Sequence, residues 1–243
     1  MNIYDLLANN YSEIFPVESD KVHFIKEYCS TSNARILDIG CATGDLAIEL
    51  SKLGHNAVGI DLNSKMIEIA GRKVEKEQSP IQFQILNMLD VGSLGNFECV
   101  LCLGNTLPHL SSEDDVYKTI VSISSIVTDG GVFIFQILNY DKILNEQKVD
   151  FKVIETDSII FKRQYYFKND MSISFRIDLE DKKTKQKYTG TTELLPLRKR
   201  QLFLLLERAG FDDVHVFSDY NRTESNFTEF SLIYVAEKRK KSK

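Results

Sequence analysis

The chain has 243 residues, 43% of them hydrophobic, and a formal net charge of −5. That length suits one large α/β domain with an elaboration. The acidic balance argues against a general nucleic-acid binder, and no apolar run reaches the length of a membrane span.

The first residues, Met1-Asn2-Ile3-Tyr4-Asp5, contain no basic region leading into an apolar core, so a cytoplasmic protein without a membrane partner is expected. From Ile3 to Ser30 the pattern reads as two helical pieces broken at Phe15-Pro16. From Arg35 onward, strands and helices alternate as in a parallel sheet covered on both faces. Arg35 to Ile39 is expected as a buried strand, followed by a Gly-rich turn and a helix whose apolar positions are Leu46, Ala47, Leu50 and Leu53. Asn56 to Asp61 reads as the second strand, a helix from Ser64 follows, and Ile81 to Leu86 reads as the third strand.

Phe97 to Leu103 is expected as a fourth buried strand. Cys99 and Cys102 lie within it at CxxC spacing, but residues three apart on a strand face opposite sides, so core packing is expected rather than a metal or redox site. The next helix is expected to start near Ser111 or Ser112, with Ser111 and Asp114 spaced as a capping box. Gly130-Gly131 then turns into a fifth strand, Val132 to Leu138.

After about Asn145 the pattern changes. Ile173, Phe175, Ile177 and Leu179 alternate with polar residues, the period of an antiparallel strand with one wet face. Ser158 to Phe167 and Lys185 to Leu195 look similar, with turn residues at Asn169-Asp170 and at Asp181 to Thr184. A small inserted antiparallel sheet is expected there. A helix from Arg198 to Ala209 and an antiparallel pair, Val214 to Phe217 with Ser231 to Glu237, complete the chain. The basic tail Lys238 to Lys243 reads as a frayed, solvated end.

The chemistry concentrates at Asp38-Ile39-Gly40-Cys41-Ala42-Thr43-Gly44-Asp45. A strand, a Gly-rich turn and a helix N-terminus make a ligand crevice at the carboxyl end of a sheet. Asp38 puts a carboxylate where a pyrophosphate would come close, which suits a ligand carrying a cation. The GxGxxG spacing is absent. Asp61, about twenty residues on, is placed to accept from the hydroxyls of a ribose.

Leu37 to Gly44, Asp61, Asn87-Met88 and the Gly130-Gly131 turn together resemble the class I S-adenosylmethionine-dependent methyltransferases. The resemblance runs from about Arg35 to Leu138 and resumes in Arg198 to Lys238. It implies a Rossmann-like, seven-stranded, mostly parallel α/β sheet with an antiparallel last strand and helices on both faces. The core would comprise 34–145 and 197–243, with an N-terminal helical cap over 1–33 and an inserted antiparallel β lid over 146–196.

By the same resemblance, Gly40, Cys41 and Ala42 present backbone to the methionine part of the cofactor, S-adenosyl-L-methionine, with Asp38 near its ammonium group. Asp61 holds the ribose, Leu62 and Met88 sandwich the adenine, and Asn87 meets its exocyclic amine. Gly44, Met66, Leu103 and Gly104 complete the cofactor set. No metal is implied.

Cys102 to Leu110 resembles the corresponding segment of glycine N-methyltransferase and related small-molecule N-methyltransferases. There the Asn at position 105 sits beside the transferring methyl and touches the substrate. Tyr11 resembles the N-terminal tyrosines that close over the cofactor in that branch. His109 has two readings, a base or cofactor contact and a structural residue near the following helix. The arginine that grips the glycine carboxylate in that family would fall at 138, where this chain has Leu138, so glycine is not the expected substrate. Leu138 suits an acceptor without a carboxylate there, or one bound by a charge from elsewhere. Arg176, Tyr165, Tyr188 and Tyr220 are expected on the surface.

The expected activity is methyl transfer to a nitrogen or oxygen of a small-molecule acceptor. The alternatives at this level are a nicotinamide-dependent oxidoreductase, disfavoured by the turn spacing, and a non-catalytic cofactor-binding module.

Overall fold

Consecutive apolar residues on a strand send alternate side chains to opposite faces, so a strand buried on both sides needs cover above and below. The computed structural model, which describes residues 3–29, 31–77, 80–169 and 172–239, shows that arrangement. Three short N-terminal helices come first: α1 (Ile3–Leu7), α2 (Tyr11–Ile14) and α3 (Ser19–Tyr28), with a 3₁₀ turn at Ala8–Asn10. The break at Phe15-Pro16 separates α2 from α3.

The sheet begins with β1 (Arg35–Ile39), α4 (Asp45–Lys52), β2 (Asn56–Asp61), α5 (Ser64–Glu77) and β3 (Gln82–Ile85). It continues through β4 (Phe97–Cys102), α6 (Glu113–Ile126) and β5 (Val127–Leu138). A helix absent from the sequence reading, α7 (Tyr140–Glu146), follows β5. Then come β6 (Ile154–Glu155), β7 (Ile159–Asn169), β8 (Ser172–Asp181) and β9 (Lys187–Leu194). The chain returns through α8 (Lys199–Arg208), β10 (Asp213–Phe217) and β11 (Ser231–Glu237).

The main sheet has the order β10-β11-β5-β4-β1-β2-β3. Only β11 runs against its neighbours, pairing antiparallel with both β5 and β10. The strand order reverses between β1 and β4, and the carboxyl ends of those strands flank a crevice. Cys99 and Leu101 face a core shared with α3 and α4, whereas Val100 and Cys102 face the core under α6 and α8. The two cysteines therefore point to opposite faces, as their spacing requires.

The second sheet, β6-β7-β8-β9, is antiparallel throughout. Its inner face (Ile159, Phe161, Ile177, Leu179) packs against Leu7, Ala8 and Ile14 of the N-terminal segment and against Ala42 and Met66. The N-terminal helices and the inserted sheet thus meet one another directly above the Gly-rich turn.

Three local readings change. The α6 cap is Ser112, whose hydroxyl accepts from Asp115 N at 3.1 Å, one residue later than the Ser111 and Asp114 pair. Strand β5 starts at Val127, because Gly130-Gly131 forms an irregularity in its pairing with β4 rather than its beginning. Lys238 is not frayed: its ammonium donates to Ser124 O and Val127 O at 2.6 and 2.8 Å. The remainder of the tail from Lys240, the start at Met1-Asn2, Ser30 and the turn residue Asp170 lie outside the described residues.

Asn139 fastens the end of β5. Its amide donates to Phe227 O and Glu229 O at 2.8 and 3.0 Å, and its carbonyl caps α7 by accepting from Lys142 N. The residue is buried, so alanine would leave these partners unpaired. Asn139→Ala is expected to lower the unfolding free energy by about 2–4 kcal/mol, read from the urea midpoint. A variant as stable as the parent would remove this residue from the list of anchors.

Candidate functional site

The turn after β1 runs through positive φ at Gly40 (+71°), Ala42 (+48°) and Gly44 (+78°). Ala42 tolerates that conformation because its N–H is held by the Asp61 carboxylate at 3.0 Å. Asp61 also accepts from Asn63 N at 2.8 Å, and Gly40 N and Cys41 N donate to Ile60 O. The end of β2 therefore holds the turn in place. Burial raises the Asp61 carboxyl above its usual range, against the hydrogen bonds that lower it.

Asp38 is more demanding. It is 4% exposed, and among the described residues no hydrogen bond or ion pair reaches its carboxylate. Burial, with the nearby Asp61 charge, pushes its pKa to about 7. Lys21, which borders the same cavity, offsets this only in part, and a buried carboxylate without an ion pair is matched by a ligand that brings a cation.

Two cavities of about 360 and 400 Å³ open on this turn. Tyr4, Tyr11, Gly40, Ala42, Gly104 and His109 border both, so they form one groove. Along one branch lie Asp38, Cys41, Leu103 and Asn105. Along the other lie Asp61, Leu62, Met66, Asn87 and Met88. Leu62 is 69% exposed for a large apolar side chain, which leaves it available to cover a flat ligand. The Asn87 carbonyl caps a 3₁₀ turn by accepting from Leu89 N at 3.1 Å and retains a second lone pair toward the cavity.

Gly44 departs from the expected set, since it borders neither cavity. A Cβ there would lie 2.4 Å from Phe83 Cζ and 3.0 Å from Ala70 Cβ, so the glycine serves helix–strand packing. Gly104 is the reverse case: a Cβ there meets nothing within 4 Å, which leaves its backbone open to a ligand.

Asn105 sits at φ +63° on the loop after β4. Its side chain is fixed at both ends, with Oδ1 accepting from Leu138 N at 3.0 Å and Nδ2 donating to Tyr140 Oη at 2.9 Å. Tyr140 in turn lies beside Tyr165. His109 Nε2 pairs with Tyr4 Oη at 2.9 Å, and burial lowers its pKa to about 4, so the ring is neutral at physiological pH. Tyr11 is buried among Phe15, Asp38 and Asp61, and burial raises its phenol above the ordinary value.

Several lining residues were not legible in the sequence. Tyr4 lies in the first helical piece, where the sequence reading assigned it no role in the site. Tyr165 was expected on the surface; it is instead largely buried, because β7 turns that face toward the cavity and packs it on Phe151 and Phe175. Arg163, two residues earlier on the same face, and Phe151 also line the cavity. Only the strand alternation around 161, 163 and 165 could have pointed to them. Among the described residues, no cluster of three His, Cys, Asp or Glu could hold a metal ion, and no helix is long and apolar enough to cross a membrane.

Comparison with known proteins agrees with this geometry. Residues 36–131 match the methyltransferase domain family. A protein of Geobacillus sp. (strain WCH70), provisionally described as a methyltransferase, is 34% identical over 113 residues, 46% of each chain. The glycine/sarcosine N-methyltransferase of Aphanothece halophytica is 27% identical over 227 residues, covering 90% of this chain and 82% of that one. The S-adenosylmethionine-dependent methyltransferase structure from Clostridium acetobutylicum ATCC 824 superposes with a TM-score of 0.82 at 19% identity, over 98% of this chain and 100% of that one, and so shares the fold.

The packing role of Gly44 has a direct consequence. Gly44→Ala is expected to cost about 2–4 kcal/mol of stability, from the left-handed backbone and the Phe83 overlap together. Denaturant unfolding measures it, and a midpoint unchanged from the parent would contradict the packing role.

Proposed function

The chain is a class I S-adenosylmethionine-dependent methyltransferase, and on that premise we propose that it methylates the nitrogen of a small-molecule amine other than glycine. The residues present fit the cofactor. Asp38 offers an unpaired buried carboxylate for the ammonium, Asp61 keeps acceptor capacity for ribose hydroxyls, and Leu62 with Met88 can flank the adenine. Bound there, S-adenosylmethionine supplies a methyl group on a sulfonium, an activated leaving group. The chain's own work is then to align a nucleophile and exclude water.

The observation that carries the choice of nitrogen is the state of His109. A phenol or alcohol acceptor needs a base, and an imidazole with a pKa near 4 that is already bonded to Tyr4 is a weak one. A neutral amine brings its own lone pair. With that lone pair the acceptor would need no base from the chain, and its excess proton would pass to solvent after transfer. Asn105, held by Leu138 and Tyr140, lines the space where that nitrogen would approach. Leu138 supplies no charge for a carboxylate held in the manner of glycine. The cap of N-terminal helices and the inserted sheet give the groove a roof suited to a small acceptor.

Titration calorimetry with S-adenosylmethionine and S-adenosylhomocysteine, in the parent and in Asp61→Ala, tests the cofactor roles. Both ligands are expected to bind the parent, with at least about tenfold loss in the variant, because the turn loses its anchor and the ribose its acceptor. Amine and phenol panels followed by S-adenosylhomocysteine release then test the acceptor; turnover of phenols alone would overturn the nitrogen assignment.

Asp38 adds a pH signature. With a free-state pKa of about 7, it is mainly protonated at pH 6, and pairing with an ammonium favours its ionised form. Cofactor binding at pH 6 should therefore release about 0.9 proton, and affinity should rise with pH up to about 7 and then level. Calorimetry in buffers of different ionisation enthalpy measures the release, which should vanish in Asp38→Asn. A pH-independent affinity in the parent would remove Asp38 from this role.

A further inference from the structure

Arg163 projects from β7 into the cavity that also holds Asn105 and Leu138. Its guanidinium carbon lies 4.8 Å from the centre of the Phe151 ring, 5.4 Å from Phe161 and 5.8 Å from Phe15. Its Nε is buried with no hydrogen-bond partner, and among the described residues the guanidinium forms neither a hydrogen bond nor an ion pair. Ring faces stabilise the charge, but they offer no acceptor for its five N–H donors. A desolvated cation in that state is completed by an anion. The other charged side chains bordering that cavity, Lys21, Asp38 and Asp45, belong to the N-terminal segment and the Gly-rich turn.

The strand fixes where that anion would sit. Residues 163 and 165 share a face of β7, about 7 Å apart. Tyr165 lies beside Tyr140, and Tyr140 is hydrogen-bonded to Asn105. The guanidinium thus stands one strand repeat from the network that flanks the reacting nitrogen. Phe151, Phe175, Ile177 and Phe230 supply apolar wall around it.

We propose that Arg163 is the acceptor-binding cation of this enzyme, and that the acceptor is an amine carrying a carboxylate a few bonds from the nitrogen together with an apolar body. A lone guanidinium presenting its two terminal nitrogens as a fork matches a carboxylate rather than a phosphate dianion, which calls for more donors. The charge that glycine-type recognition would have drawn from position 138 comes instead from the inserted sheet. The inference rests on the methyl-transfer reading, because it treats this cavity as the acceptor's.

The test separates the two. S-adenosylhomocysteine binding is measured first; its absence in the parent would sink the methyl-transfer reading by itself. The protein saturated with S-adenosylhomocysteine is then titrated with 3-phenylpropionate and with its neutral isostere, 3-phenylpropanamide. The parent is expected to bind the carboxylate at least about tenfold more tightly than the amide. In Arg163→Met that preference should disappear while the S-adenosylhomocysteine affinity stays unchanged. Arg163→Lys, which keeps the charge and loses the fork, should retain part of it. Failure of the parent to bind the carboxylate, equal binding of acid and amide by the parent, or a preference that survives in Arg163→Met would each overturn the proposal.

Discussion

Two carboxylates buried at neighbouring strand ends govern this structure. Asp61 is stabilised by backbone: it takes the N–H groups of Ala42 and Asn63, and through Ala42 it holds a left-handed turn that alanine would otherwise avoid. Among the described residues Asp38 receives no hydrogen bond or ion pair, and burial with the charge on Asp61 makes its ionisation harder despite the more distant Lys21. The parallel sheet thus ends in one satisfied acid and one unsatisfied acid, a few residues from bare backbone. A ligand bearing hydroxyls and an ammonium group completes both. The crevice at the strand-order reversal lies beside both.

The rest of the site is a roof whose parts come from distant stretches of chain. The N-terminal helices bring Tyr4 and Tyr11, the inserted sheet brings Arg163 and Tyr165, and the end of β5 brings Leu138, while buried Tyr140 of α7 holds Asn105 from behind. These parts are tied to the turn by polar links as well as packing. Lys73 donates to Ser12, Thr43 O and Asp45, joining α5, the turn and the N-terminal segment at one ammonium. His109 is paired with Tyr4 across the groove mouth.

The distribution of charge separates the two halves of the reaction. The cofactor half is acidic and receives a cation; the acceptor half has a guanidinium enclosed by aromatic rings. Between them stands Asn105, neutral and locked by Tyr140 and the backbone of Leu138. For the proposed nitrogen acceptor a neutral, rigid group suits that position, because a fixed charge there would favour one end of the transfer over the other.

Strand alternation, the Gly-rich turn, Asp38 and Asp61 were all readable in the sequence, because each is a local matter of periodicity, backbone freedom or position at a strand end. So were the antiparallel last pair and the opposed cysteines. The distinction between Gly44, which packs on Phe83, and Gly104, which faces open space, needed the tertiary structure, since both are glycines at positive φ. The same holds for Tyr165 and Arg163. On an antiparallel strand with alternating character, the pattern says which residues share a face, but not whether that face meets solvent or another element. Here the N-terminal helices and the segment at Phe151 cover it. Which charge remains unpaired is decided by what folds over it, and that depends on contacts between residues more than a hundred positions apart.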